Sequence, residues 1–97
     1  SVGFEAFSLV ILESWANLKP VIVTNNGGMA EIVDNKINGL IVKPNSIKSL
    51  YYAIELLIEN PSLRKKLGEN GYYKLRKTFT VDVIAKQYMN MYSKLFE

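Results

Sequence analysis

Two short runs of β-branched and aliphatic residues decide the fold, and both lie within residues 21–42, VIVTNNGGMAEIVDNKINGLIV. The run Val21–Val23 predicts a buried strand, and it leads into Thr24–Gly28, which is typical of a turn that needs positive φ. A short helix over Met29–Val33 is predicted next, and the run Leu40–Val42 predicts a second strand. Since a helical crossover joins parallel strands, the two strands are expected to be parallel.

Helices are predicted on both sides of this unit, from apolar stripes with helical spacing and from capping residues. They span residues 8–18, 46–59, 61–77 and the segment that Thr80 caps. Gly68 and Gly71 lie inside the third of them, where each glycine is expected to cost about 1 kcal/mol relative to alanine.

The core of the domain is predicted from the same stripes. On the second of these helices, Leu50, Ile54, Leu57 and Ile58 have core-facing spacing. Trp15 and the tyrosines are predicted to pack in the core or between helices, rather than to stack on nucleic-acid bases.

The valines and isoleucines of the two strands occupy both strand faces, which predicts helices above and below the sheet. We therefore expect an α/β fold with three layers, a parallel sheet with helices on both faces, and a helical C-terminus. Two short strands do not make a stable sheet, so at least one more strand is expected before Ser1. The 97 residues are too few for a second domain, and the chain is expected to be the C-terminal part of a larger α/β domain.

The composition excludes several kinds of chemistry. The sequence contains neither cysteine nor histidine, which rules out disulfide scaffolds, thiol nucleophiles, Ser-His-Asp triads and the usual zinc sites within this segment. The N-terminus has no initiator Met and no basic leader with an apolar core, so we expect no signal peptide and a chain cut from a longer one. The lack of cysteine is compatible with a cytoplasmic protein.

Two glutamates, Glu5 and Glu13, frame the start of the first predicted helix. If this helix begins near Ser8, Glu13 lies about 7.5 Å along the axis from the helix N-terminus. Free backbone N–H groups at that terminus favour a phosphate, and a ligand with a pyrophosphate between two hydroxyl-bearing ends would fit between the glutamates. The apolar neighbours of Glu13, such as Leu9 and Ala16, predict a setting that penalises an unpaired carboxylate.

Four motifs follow one another along the chain. They are Ser1-x3-Glu5-x-Phe7-x-Leu9-Val10-x-Leu12-Glu13, Pro20-Val21-Ile22, Gly27-Gly28-x2-Glu31-Ile32-Val33 and Gly39-Leu40-Ile41-Val42. In combination they resemble the C-terminal nucleotide-sugar domain of GT-B retaining glycosyltransferases, of the glycosyltransferase family 4 or glycosyl transferases group 1 type. The resemblance implies a Rossmann-like sheet and makes residues 1–97 a C-terminal fragment of the donor-binding domain.

The resemblance also implies an activity and a role for each matching residue. The parent enzyme is expected to be a hexosyltransferase that uses a nucleoside-diphosphate sugar as donor and a hydroxyl acceptor, with retention and with neither a metal nor a cofactor. Glu5 would contact donor-sugar hydroxyls near the reacting carbon, and Glu13 would accept hydrogen bonds from the ribose. The backbone amides that approach the sugar and the diphosphate would be those of Phe7, Ser8 and Leu9.

The sequence departs from the pattern of this family at two positions. Ala6 and Ser8 stand where the family commonly has glycine, and the Cβ of Ser8 reduces the room for a close approach of the donor. Gly27 and Gly28 are candidate loop contacts, although turn geometry alone also accounts for them. The basic diphosphate-binding residues and the domain that binds a glycan, lipid or small-molecule acceptor are implied to lie before Ser1. The chain alone is therefore expected to be inactive.

Three other functions remain open from the residues. The segment 61–97 holds eight basic and three acidic residues, and a nucleic-acid backbone or an anionic membrane at the inner face would suit its basic surface. The cations and aromatic residues concerned are Arg64, Lys65, Lys66, Lys74, Arg76 and Lys77 with Tyr72, Tyr73 and Phe79. Of the three functions, nucleic-acid binding is not expected, because such cations usually form a solvated face. A glycosidase that uses Glu5 and Glu13 as acid and base would need their carboxyl groups about 5 to 9.5 Å apart.

Overall fold

A computed structural model describes residues 10–26, 29–78 and 81–95. Helix α1 is described over residues 10–16, and the other elements are β1 (Val21–Thr24), α2 (Met29–Ile32), β2 (Gly39–Val42), α3 (Ile47–Glu59), α4 (Pro61–Thr78) and α5 (Val81–Leu95). These elements confirm the predicted order of helices and strands, and the described ends lie within two residues of the predicted ones.

The two strands form a parallel pair, as predicted. Val21 lies opposite Gly39, and Thr24 lies opposite Val42. Val21 and Val23 pack into one core cluster, whereas Leu40 and Val42 pack into another, because successive residues of a strand point to opposite faces. Both faces of the sheet are therefore buried under helices.

The helices form a layer on each side of this sheet. Ile11 and Trp15 of α1 pack on the face that contains Val21, and Leu57 of α3 packs on the opposite face. The long helix α4 contributes to both clusters, with Leu75 in the first and Leu67 in the second. The three-layer α/β fold is confirmed. Among the described residues, no helix is long and apolar enough to cross a membrane.

Helix α1 ends in a Schellman turn, two residues earlier than predicted. The amide of Lys19 donates to the carbonyl of Ser14 at 2.9 Å, and the amide of Leu18 donates to the carbonyl of Trp15 at 2.9 Å. Leu18 has a φ of 60°, the left-handed conformation that this turn requires and that glycine usually supplies. Pro20 follows, and the chain reverses into β1.

The predicted core of α3 is wrong on one side of the helix. Leu57 is buried as predicted, and Ala53 is buried beside it. Leu50, Ile54 and Ile58 are 42%, 43% and 68% exposed. The apolar stripe of α3 is thus wider than the part of it that other described residues cover. The spacing of apolar residues predicts where the stripe lies on the helix, but not which of its residues are buried.

The predicted burial of the aromatic residues is confirmed for Trp15 but not for most of the tyrosines. Trp15 is fully buried, which confirms its place in the core. The tyrosines do not follow it: Tyr72 is half-buried, and the five exposed ones are Tyr51, Tyr52, Tyr73, Tyr88 and Tyr92. The hydroxyl end of a tyrosine tolerates water, so a tyrosine at helical spacing does not indicate burial as firmly as tryptophan does.

Candidate functional site

Glu13 is the predicted site residue that lies in the described part of the chain, on α1. The others lie outside the described residues: Glu5, Phe7, Ser8, Leu9, Gly27 and Gly28. Two described residues lie next to these segments along the chain. Val10 continues the segment that carries Glu5, and Asn26 precedes the glycine pair.

These two attachment points lie at the same edge of the sheet. Helix α1 and strand β1 are joined by the short connection 17–20 and pack against each other, so they run in opposite directions. The N-terminal end of α1 therefore meets the carboxyl end of β1. In parallel α/β sheets, ligands bind in the crevice outside the carboxyl ends of the strands. This edge is therefore the candidate site.

The carboxyl end of β1 is held by hydrogen bonds. The amide of Asn25 donates to the carbonyl of Val42 at 2.8 Å, which extends the pairing of the strands by one residue. The Thr24 hydroxyl donates to the side-chain oxygen of Asn26. These bonds fix the direction in which the chain leaves the sheet towards Gly27 and Gly28.

Glu13 has an exposed side chain, and this corrects the apolar setting that the sequence predicted. Leu12, the preceding residue, is buried, so the helix turns its apolar face to the core and the carboxylate to water. Glu13 also lies at the rim of a cavity of about 210 Å³ whose other lining residues include Leu75, Ile84 and Tyr88. A hydrated carboxylate beside an apolar cavity can accept hydrogen bonds from the hydroxyl groups of a bound ligand.

A groove of about 400 Å³ follows the outer edge of β1. It is lined by Val10, Ile11 and Ser14 of α1 and by the whole segment Pro20–Thr24. β2 pairs with β1 on the other side, and within the described ranges no strand pairs with this outer edge. The groove leads along the strand to the candidate site.

The turn behind α2 is held by a buried network that the sequence did not reveal. Asn38 is 1% exposed, its Oδ1 accepts from the amide of Asp34 at 2.8 Å, and its carbonyl accepts from Trp15 Nε1 at 3.0 Å. Lys74 Nζ, on α4, donates to the carbonyl of Ile32 at 2.5 Å and to Asp34 Oδ2 at 3.1 Å. The contacts to Trp15 on α1 and Lys74 on α4 link residues far apart in sequence.

The family of the chain follows from a match between its first three quarters and the profile of a known protein family. Residues 1–74 match the profile of glycosyl transferases group 1. The chain belongs to this family. The match covers α1, the strand pair and most of α4, so the resemblance predicted from the motifs is confirmed for the family and the fold.

Several curated proteins and solved structures are similar to this chain. An uncharacterized glycosyltransferase of Methanocaldococcus jannaschii is 48% identical over 67 residues, which are 69% of this chain and 19% of that protein. Sucrose-phosphate synthase of Thermosynechococcus elongatus has a TM-score of 0.73 and 33% identity over 91% of this chain and 22% of that one. Anabaena HepE, solved in complex with UDP, has a TM-score of 0.71 and 27% identity over 88% of this chain and 23% of that one.

This glycosyltransferase chain therefore spans about a fifth of the length of the relatives that it matches. The roles implied for Glu5, Glu13 and the glycine pair stay predictions, because these similarities show the family and the fold.

Proposed function

We propose that the protein that carries this chain transfers a hexose from a nucleoside-diphosphate sugar to a hydroxyl acceptor, with retention and with neither a metal nor a cofactor. Residues 1–97 then form the C-terminal part of its donor-binding domain. The observation that carries the proposal is the similarity to HepE, whose structure contains UDP and whose fold matches 88% of this chain. Membership of glycosyl transferases group 1 supports sugar transfer as the reaction.

The proposed donor site lies where α1 begins and β1 ends. Glu13 would accept hydrogen bonds from the two ribose hydroxyls, since a carboxylate has two oxygens and needs no proton change to do so. The amides of Phe7, Ser8 and Leu9 would donate to the sugar and the diphosphate, and Gly27 and Gly28 would be loop contacts. The exposure of Glu13 supports this role, because its carboxylate is accessible to a ligand.

The direct experiment is a thermal-shift screen of the full-length protein against nucleoside diphosphates and their sugars. A ligand that binds the folded state stabilises it by an amount that grows with the logarithm of its concentration relative to Kd, and so raises the unfolding temperature. We expect one base, with its sugars, to give a clear shift. A protein that shifts with no nucleotide, yet releases free sugar from a glycoside without a nucleotide, would be a glycosidase instead.

Glu13→Ala is expected to weaken binding of the nucleotide by about 10- to 150-fold. This factor corresponds to the loss of a hydrogen bond to a charged group, which contributes about 1.5 to 3 kcal/mol. The exposed side chain packs little, so the unfolding midpoint should change little. Calorimetric titration with the nucleoside diphosphate measures the affinity. Glu59→Ala, an exposed glutamate at the end of α3, is the matched control. Equal affinities of the two variants would contradict the ribose role.

Glu5→Ala is expected to lower kcat more than it raises the donor KM, because its proposed contact lies beside the reacting carbon and strengthens during transfer. Steady-state kinetics with varied donor separate the two parameters. Glu13→Ala is the internal comparison, with its main effect on donor binding. A Glu5 variant that changes the donor KM alone would place this residue in ground-state binding and not at the reacting centre.

A further inference from the structure

The exposed face of α4 carries a cluster of cations and tyrosines. Helical spacing places them within one side of the helix, opposite the buried residues Leu67 and Leu75. We call this surface the α4 basic face, and it consists of Lys65, Lys66, Tyr72, Tyr73, Arg76 and Lys77. Lys65 and Lys77 are twelve positions apart, so the face extends for about 18 Å along the helix.

Two basic residues that the sequence analysis grouped with this surface, Arg64 and Lys74, do not belong to the α4 basic face. Arg64 donates to the carbonyls of Leu57 and Ile58 at the end of α3, and Lys74 donates to Ile32 and Asp34. Both charges are thus used within the domain. The four cations of the α4 basic face are exposed, and none lies within ion-pair distance of a carboxylate in the described ranges.

The tyrosines of the face are arranged with the cations. Arg76 lies over the ring of Tyr72 at 5.9 Å, and Lys77 lies over the ring of Tyr73 at 5.7 Å. Each contact joins residues one helical turn apart and covers one face of the ring. Tyr73 is exposed and Tyr72 is half-buried, and tyrosine is favoured at the boundary between water and an apolar phase.

An open groove of about 600 Å³ runs beside the face. Leu18 forms one wall and is half exposed, and Glu69, Tyr72 and Arg76 line the other. The groove therefore combines apolar, aromatic and cationic groups. Leu18 lies in the connection 17–20 that leads into β1, so this end of the surface lies at the amino end of the strand, away from the candidate donor site.

We propose that the α4 basic face docks on an anionic lipid bilayer. Four exposed cations complement the negative surface potential of such a bilayer, and Tyr72, Tyr73 and Leu18 suit the headgroup level. A phosphate chain in the groove would lie against the carboxylate of Glu69, and stacked bases would compete with Arg76 and Lys77 for the rings. These contacts favour a lipid surface over a nucleic acid.

The test is co-sedimentation of the full-length protein with vesicles of phosphatidylcholine, with and without phosphatidylglycerol. We expect binding only to the anionic vesicles, with a loss on addition of salt. In Lys65→Gln/Arg76→Gln/Lys77→Gln, partitioning should fall on the order of 100-fold, since each cation near an anionic bilayer contributes about five-fold.

The matched control is Lys36→Gln/Lys43→Gln/Lys48→Gln, which removes the same charge from exposed lysines outside α4. It should bind within a few-fold of the unchanged protein, and both triple variants should keep their circular dichroism and unfolding midpoint. Equal losses in the two variants, or no binding to anionic vesicles, would overturn the proposal.

Two further measurements distinguish a bilayer from other polyanions. Tyr73→Ser leaves the charge unchanged and should weaken vesicle binding several-fold, because the interfacial ring is lost. An unchanged partition would overturn docking at the headgroup level. Labelled single-stranded and duplex DNA should bind more weakly than anionic vesicles at the same salt. Tighter binding of DNA would instead make this face a nucleic-acid surface and overturn the proposal.

Discussion

Trp15→Ala is expected to lower the free energy of unfolding of the domain by about 3 to 5 kcal/mol. Trp15 of α1 is 0% exposed, and its side chain packs between the sheet and α4. Gly71 of α4 leaves room for its indole. Truncation leaves a cavity that closes only if one of these elements shifts. Urea unfolding, followed by far-UV circular dichroism of the full-length protein, measures the change.

Trp15→Phe separates packing from hydrogen bonding at the same position. The phenyl ring keeps part of the apolar contact but cannot donate to the carbonyl of Asn38, which then loses its partner in a residue shielded from water. The cost of that loss is about 1 to 3 kcal/mol, smaller than that of Trp15→Ala. Tyr52→Ala, on the exposed side of α3, should change stability by at most about 0.5 kcal/mol. If Trp15→Phe is neutral, the bond to Asn38 contributes nothing.

The Trp15 variants also bear on the proposed donor site. Trp15 connects α1, which carries Glu13, to the turn that follows α2. Loss of its side chain should loosen both elements, so affinity for the nucleotide should fall together with stability. Glu13→Ala should lower affinity and leave stability unchanged. The two variants thus distinguish a residue that contacts the donor from one that positions the elements around it.

The sequence predicted the strand pair because Val21–Val23 and Leu40–Val42 are compact runs between strong turn signals. The sequence could not predict which apolar residues of α3 are buried, because their spacing does not specify which other elements pack against them. It placed Glu13 correctly on a helix but not in water, because the apolar residues Val10 and Ala16, one helical turn away, are themselves exposed. The Asn38 network depends on tertiary contacts to Trp15 and Lys74, and no local pattern encodes them.

The glycines of α4 show the same dependence on tertiary contacts. From the sequence, each was expected to weaken the helix. In the structure, a Cβ at position 68 would lie 2.0 Å from the carbonyl oxygen of Leu18, and a Cβ at position 71 would lie 2.1 Å from the indole of Trp15. Gly68 thus lets α4 contact the backbone of the Schellman turn, and Gly71 lets it contact the buried ring.

Gly68→Ala is therefore expected to destabilise the protein by about 3 kcal/mol, because the atom that it meets belongs to the backbone and cannot rotate away. Gly71→Ala should cost a similar amount, since the hydrogen bond of Trp15 to Asn38 holds the ring in place. Urea unfolding of the full-length protein measures both. Glu69→Ala, on the exposed side of the same helix, is the control and should stay within about 0.5 kcal/mol.

An isolated peptide of residues 61–78 should respond to the glycine substitutions in the opposite direction. Without α1 there is no contact to relieve, and each Gly→Ala change should stabilise the helix by about 1 kcal/mol, seen as stronger helical circular dichroism. Stabilisation in the peptide together with destabilisation in the protein isolates the tertiary contact from helix propensity. Stabilisation in both would mean that α4 moves away from α1 at little cost and that the close approach at Leu18 and Trp15 is not required.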